Sequence, residues 1–136
     1  MKHPLQCAGA AMVVLCLAGA GPARAQTADI KTIVSVGGPP VVLNQNSQLN
    51  MAGVFMIGGS TSATVTQNGT NNATGVLQFG GTNSASVGQT GTINLAFVGQ
   101  AGQSATSLVS QLGAINTGTV MQFSSVNHST VVQTGP

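Results

Sequence analysis

Eight valines stand in one phase, Val54, Val65, Val76, Val87, Val98, Val109, Val120 and Val131, each eleven residues after the last. A fixed period constrains a fold more tightly than any local motif, because every unit must take one shape and stack on its neighbours. Glutamine keeps the same period at Gln45, Gln67, Gln78, Gln89, Gln100, Gln111, Gln122 and Gln133, with Met56 in the one missing place. Asparagine follows five residues later, at Asn50, Asn72, Asn83, Asn94, Asn116 and Asn127, with Thr61 and Ala105 in the two gaps. Glycine comes two residues after the glutamine position at Gly58, Gly69, Gly80, Gly91, Gly102, Gly113 and Gly135, and Ser47 and Ser124 take that place elsewhere.

The unit is Q-x-G-x-x-N-x-A-x-V-x, and eight of them run from Gln45 to Val132. Asn, the small residue, Val and the next Gln are two apart, so in an extended strand they share one face. The glycine falls outside that alternation, where a turn needs positive φ or a close backbone approach. A helical reading fails, since Gly, Thr, Val and Asn oppose helix propensity throughout. Intervening positions alternate in kind from unit to unit. Met51, Phe55, Leu77, Leu95, Phe97 and Met121 make one outer set mostly apolar, while Ser62, Thr64, Thr66, Ser84, Ser86, Thr106, Ser110 and Thr130 make the other hydroxylated. The structural repeat is therefore strand–turn–strand–turn, 22 residues long. This predicts an all-β, flattened β-solenoid of the cross-β kind, with two parallel, in-register stacked sheets. Four coils stand ~19 Å tall at ~4.8 Å per rung.

The segment before the repeat reads differently. Lys2, the apolar run Cys7–Ala20 and the Ala23-Arg24-Ala25 cleavage pattern mark residues 1–25 as a signal peptide for Sec-type export. At ~1.5 Å per residue the run is too short for a ~30 Å hydrocarbon core, so no integral membrane span is expected. Cys7 and Cys16 both lie inside the leader, leaving the processed chain without thiols. Leu15 before Cys16 argues against a lipid-modified cysteine, which needs a small residue there. Residues 26–44 are expected as a flexible N-terminal lead with a partial strand at 41–44, because Pro39-Pro40 cannot continue a ladder. The solenoid then occupies residues 45–136.

Charge excludes much else. Lys2, Arg24, Asp29 and Lys31 are the only charged side chains, so no basic stripe exists for nucleic acid. From residue 32 onward His128 is the one candidate for acid–base work, and no carboxylate stands in the repeats to orient it. No catalytic residue, no cofactor and no metal site is expected. Asn68-Gly69-Thr70, Asn72-Ala73-Thr74 and Asn127-His128-Ser129 fit the N-glycosylation pattern, as coincidence allows in so Asn-, Ser- and Thr-rich a chain.

Asn83-Ser84-Ala85-Ser86-Val87-Gly88-Gln89-Thr90-Gly91 and Asn94-Leu95-Ala96-Phe97-Val98-Gly99-Gln100-Ala101-Gly102 closely resemble the curlin repeat, S-x5-Q-x-G-x-x-N-x-A-x-V-x-Q. The resemblance extends over residues 45–135, with Met56, Thr61 and Ala105 as departures. It implies a secreted functional-amyloid subunit that polymerises at the bacterial surface into adhesive curli fibres of the biofilm matrix. It also implies that the Asn and Gln residues named above stack as internal ladders at strand ends. The partners implied are copies of the chain or another curlin subunit, an outer-membrane secretion channel, and a surface anchor or nucleator. End-on growth is expected, since bare sheet edges without charge are templates for pairing. The competing reading is a soluble β-solenoid binding module for ice or glycans, using the Ser/Thr face.

Overall fold

The computed structural model describes residues 12–16, 30–36, 41–46 and 48–136. They form a single sheet wound into a β-solenoid of about five turns. Its strands are β1 (Met12–Cys16), β2 (Ile30–Val36), β3 (Val41–Asn46), β4 (Met51–Gly69), β5 (Asn72–Phe123) and β6 (Val126–Thr134). Pairing is parallel everywhere except between β1 and β2. From β3 onward each residue pairs with the one 22 positions later, as in Leu43 with Val65, Val54 with Val76 and Val109 with Val131.

Inward and outward residues alternate as period-two strands require. Val54, Val65, Val76, Val87, Val98, Val109 and Val120 are buried, and Val131 of the terminal coil packs half-buried against them. Ala52, Ala63, Ala85, Ala96 and Met56 are buried with them, and Val41 and Leu43 of β3 pack against the cluster. Small side chains are needed there because the two sheets of a flattened coil lie close together. Valine suits such a surface, its branched Cβ packing on the pleat.

Two features correct the expectation from sequence. Residues 30–36, expected within a flexible lead, form β2, and residues 41–46 form β3 where a strand over 41–44 was expected. Together they make a further coil below the four that the glutamine count predicts. Its first strand escapes the count because Ile33 takes the valine place opposite Val54, and Ser35 stands opposite Met56 where glutamine would mark the unit.

The second correction concerns the turns. The ladder does not stop at the glycines; Gly58 pairs with Gly80 and Gly69 with Gly91, so β5 runs through 52 residues without a break. Corners stacked in register satisfy each other's backbone groups just as flat rungs do. Gly69, Gly80, Gly91 and Gly113 take positive φ, between 123° and 136°, as a turn requires. Gly58 and Gly102 do not, and their constraint is space: a Cβ on either would overlap the carbonyl oxygen one coil away. Gly135 lies just past the end of β6.

Candidate functional site, the amide ladders and the coil ends

The inward amides form columns along the solenoid. In the first, Gln45 Nε2 donates to Gln67 Oε1 (2.9 Å), Gln67 to Gln89 (2.8 Å), Gln89 to Gln111 (2.8 Å) and Gln111 to Gln133 (2.6 Å). In the second, Gln78 donates to Gln100 (2.7 Å) and Gln100 to Gln122 (2.9 Å). Six of these glutamines, Gln67, Gln78, Gln89, Gln100, Gln111 and Gln122, are buried, and Gln45 and Gln133 at the ends are half-buried.

In seven of these amides, all but Gln45, an Nε2 proton closes the coil. Gln67 donates it to Met51 O (3.0 Å), Gln78 to Ser62 O (3.1 Å), Gln89 to Ala73 O (3.1 Å) and Gln100 to Ser84 O (3.1 Å). Gln111, Gln122 and Gln133 do the same toward Leu95 O, Thr106 O and Thr117 O. One amide thus ties a coil to the next along the axis and to its own opposite strand. A buried amide lacking these partners would cost desolvation without return.

The asparagine column runs the other way. Asn94 Nδ2 donates back to Asn72 Oδ1 (2.8 Å), Asn116 Nδ2 to Asn94 Oδ1 (2.9 Å), and the Asn72 backbone N–H donates to Asn50 Oδ1 (3.2 Å). On the other edge the asparagine places hold Thr61, Asn83, Ala105 and Asn127, and no ladder forms. Asn83 Nδ2 turns to Phe79 O (2.9 Å), while Asn83 Oδ1 and Thr61 Oγ1 are buried without a partner. Ala105 supplies no amide, so the chain of donors is cut there. Asn127 is half-buried in the last coil.

One contributor is not marked by the glutamine and asparagine periods. Thr74, in the small-residue place, donates to Gln89 Oε1 (2.8 Å) and takes a share in a bifurcated bond from Gln67 Nε2 (3.1 Å). Its only signal in the sequence is a hydroxyl where alanine is usual.

The two ends differ chemically. At the N-terminal end Gln45 Oε1 and Asn50 Nδ2 are buried without partners. At the C-terminal end Gln133 Nε2 donates only to Thr117 O. A glutamine amide carries two N–H donors, so one remains. Among the described residues β6 pairs with β5 alone, and β3 with β4 alone, so each leaves one strand edge unpaired there. β2 is edged instead by β1, through Met12 opposite Ser35 to Cys16 opposite Lys31.

The outer faces carry no comparable network. Met51, Leu95 and Met121 are exposed on the apolar face, and Phe55, Leu77 and Phe97 are half-buried there. On the hydroxyl face Ser62 Oγ donates to Ser84 Oγ (3.3 Å). His128 is exposed in β6, in register with Thr106. Among the described residues no helix is long and apolar enough to cross a membrane.

The curlin-associated repeat matches twice, over residues 60–91 and 83–113. No curated protein and no solved structure matches the chain. The matched residues hold the continuous glutamine columns and the stacked corner glycines, the parts of the coil that its period dictates. Together the two matches cover residues 60–113, 54 of the 136, and place the curlin-associated repeat on the stacked coils of the solenoid.

Proposed function

We propose that the chain is a secreted structural subunit that stacks end to end, on copies of itself or on another curlin subunit, into a surface fibre for adhesion and biofilm matrix. The observation that carries this reading is the mismatch at the ends of one column. Gln45 Oε1 is a buried acceptor without a donor, and Gln133 Nε2 keeps a donor without an acceptor. Placing one copy's first coil on another's last brings these two into the relation that Gln111 and Gln133 already have. Each junction would also pair the open edges of β3 and β6, removing the unpaired N–H and C=O rows that make edges adhesive.

Parallel in-register stacking sets identical side chains above one another, so like charges are penalised. Lys31 is the one charged residue among those described, and the penalty is nearly absent. The leader supplies Sec export, and the processed chain would then need an outer-membrane channel and a surface anchor.

The test is the processed protein in dilute buffer, followed by amyloid dye and electron microscopy. Fibres after a lag, with the lag shortened by seeds, support the proposal, as does loss of seeded growth when residues 122–136 are removed. Persistent monomer rejects it.

A further inference from the structure

The apolar outer face is uneven in a regular way. Each coil presents two outward places on one half of that face and two on the other. The β4 coil carries Met51 and Gly53, then Phe55 and Ile57; the next carries Ala73 and Gly75, then Leu77 and Phe79. Apart from Met51, small residues fall on the first half and large ones on the second. The following coil reverses the order, with Leu95 and Phe97 before Gly99 and Ala101. The last restores it, with Thr117 and Thr119 before Met121 and Phe123.

This pattern gives the face a relief. Met51, Gly53, Ala73 and Gly75 line a hollow of about 490 Å³, bordered on the next coil by Leu95 and Phe97. Phe97 already leans over Gly75, its ring 3.0 Å from where a Cβ would be, but at Gly53 nothing lies within 4 Å. Beside the hollow, Phe55 and Phe79 pack ring to ring with centroids 5.7 Å apart, and Leu77 completes a ridge with them. Hollow and ridge therefore lie side by side on the same two coils.

We propose that a second copy covers this face, turned about a two-fold axis parallel to the solenoid, so that filaments pair laterally with one polarity. That rotation keeps every coil at its own height and exchanges the two halves of the face. Phe55 of each copy then enters the hollow at the other's Gly53, Leu77 meets Gly75, Phe97 meets Gly99 and Met121 meets Thr119. Small meets large on four successive coils, which is how apolar layers fill space without voids. The filament form of this pairing rests on the end-to-end reading given above.

The area of the face fits the same partner. Met51 to Ile57 spans ~20 Å at ~3.4 Å per residue, and five coils rise ~24 Å at ~4.8 Å each, so one copy offers ~480 Å². Two such faces bury about 1,000 Å², the threshold for a specific interface. A single pair is marginal, and end-to-end stacking multiplies the contact because every added copy brings its own face to the same neighbour. The opposite outer face, with Ser62, Thr64, Ser84 and Ser86, is mostly hydroxylated, so pairing stops at two.

Mass per unit length of the fibres, measured by dark-field electron microscopy, tests this. Wild-type fibres should carry two copies per ~24 Å of rise. Leu95→Lys changes an exposed side chain far from both ends and would bury an unpaired ammonium in the lateral contact. Its fibres should grow from seeds at the wild-type rate and carry half the mass per length. Gly53→Phe, which fills the hollow, should also halve it, and adding Phe55→Ala should restore the wild-type value by exchanging knob and hollow. One copy per ~24 Å in the wild type, or paired Leu95→Lys fibres, overturns lateral pairing through this face while leaving end-to-end assembly standing. No rescue in the double variant overturns the two-fold register. If the wild type forms no fibres, end-to-end assembly fails by itself, and sedimentation of the soluble chain decides the face. A dimer that Leu95→Lys dissociates supports it, and a monomer at every concentration overturns it.

Discussion

Met56 lies directly beneath Gln78 in the second glutamine column, and Gln78 Oε1 is consequently buried with no donor. A thioether sits where the amide of every other unit would reach up. Met56→Gln should supply that donor and raise the free energy of unfolding by about 1 kcal/mol, the usual net value of one hydrogen bond. Met56→Leu, which changes shape but adds no donor, should give no gain. Equal stability of Met56→Gln and wild type, measured by denaturant unfolding, would show that the column gains nothing from continuity at this place.

The asparagine columns give the converse experiment. Asn94 joins Asn72 and Asn116, so Asn94→Ala orphans Asn72 Oδ1 and Asn116 Nδ2 together. A loss of about 2–4 kcal/mol is expected from two buried groups left unpaired. Ala105→Asn should act in the opposite direction, because its Nδ2 would lie beside the unpartnered Asn83 Oδ1. Thermal melts of both variants check the pair, and a destabilised Ala105→Asn counts against it.

Glycines of one chain should differ sharply in tolerance. Gly80 has φ 123°, and a Cβ on it would overlap Gly102 O, so Gly80→Ala should prevent the corner from stacking. Gly53, on the apolar outer face, has nothing within 4 Å of where its Cβ would be. Gly53→Ala should therefore stabilise the strand by about 0.5–1 kcal/mol. Circular dichroism melts separate the two outcomes.

The antiparallel strand β1 gives a prediction about kinetics. β1 is the single antiparallel strand and occupies the β2 edge on which a preceding copy would stack. Chain retaining residues 1–25 should then show a longer lag and a weaker response to seeds than chain beginning at Gln26. Identical seeded rates for the two would show that β1 does not cover that edge in solution.

The period made the interior legible. Val87, Gln89 and Asn94 recur at fixed intervals, and a two-residue alternation forces them onto one face whatever the surroundings. β2 was hidden for the same reason, since Ser35 and Ile33 carry none of the marker residues although the ladder accepts them through backbone bonds alone. The opposed directions of the glutamine and asparagine columns were also out of reach. They follow from which amide rotamer meets which neighbour, and a one-dimensional string does not hold that information. Continuity of the strand through the corners depends on neighbours 22 residues away, beyond any local turn rule.

The corner glycines and the 22-residue register have one further consequence, for the length of the molecule. Because each pair of units repeats the same backbone register and glutamine bonding, excising or duplicating one whole pair within residues 72–115 would shorten or lengthen the shaft while leaving both terminal surfaces as they were. Tandem duplication in such a gene is thus close to neutral for recognition, and subunits of unequal size could share one filament.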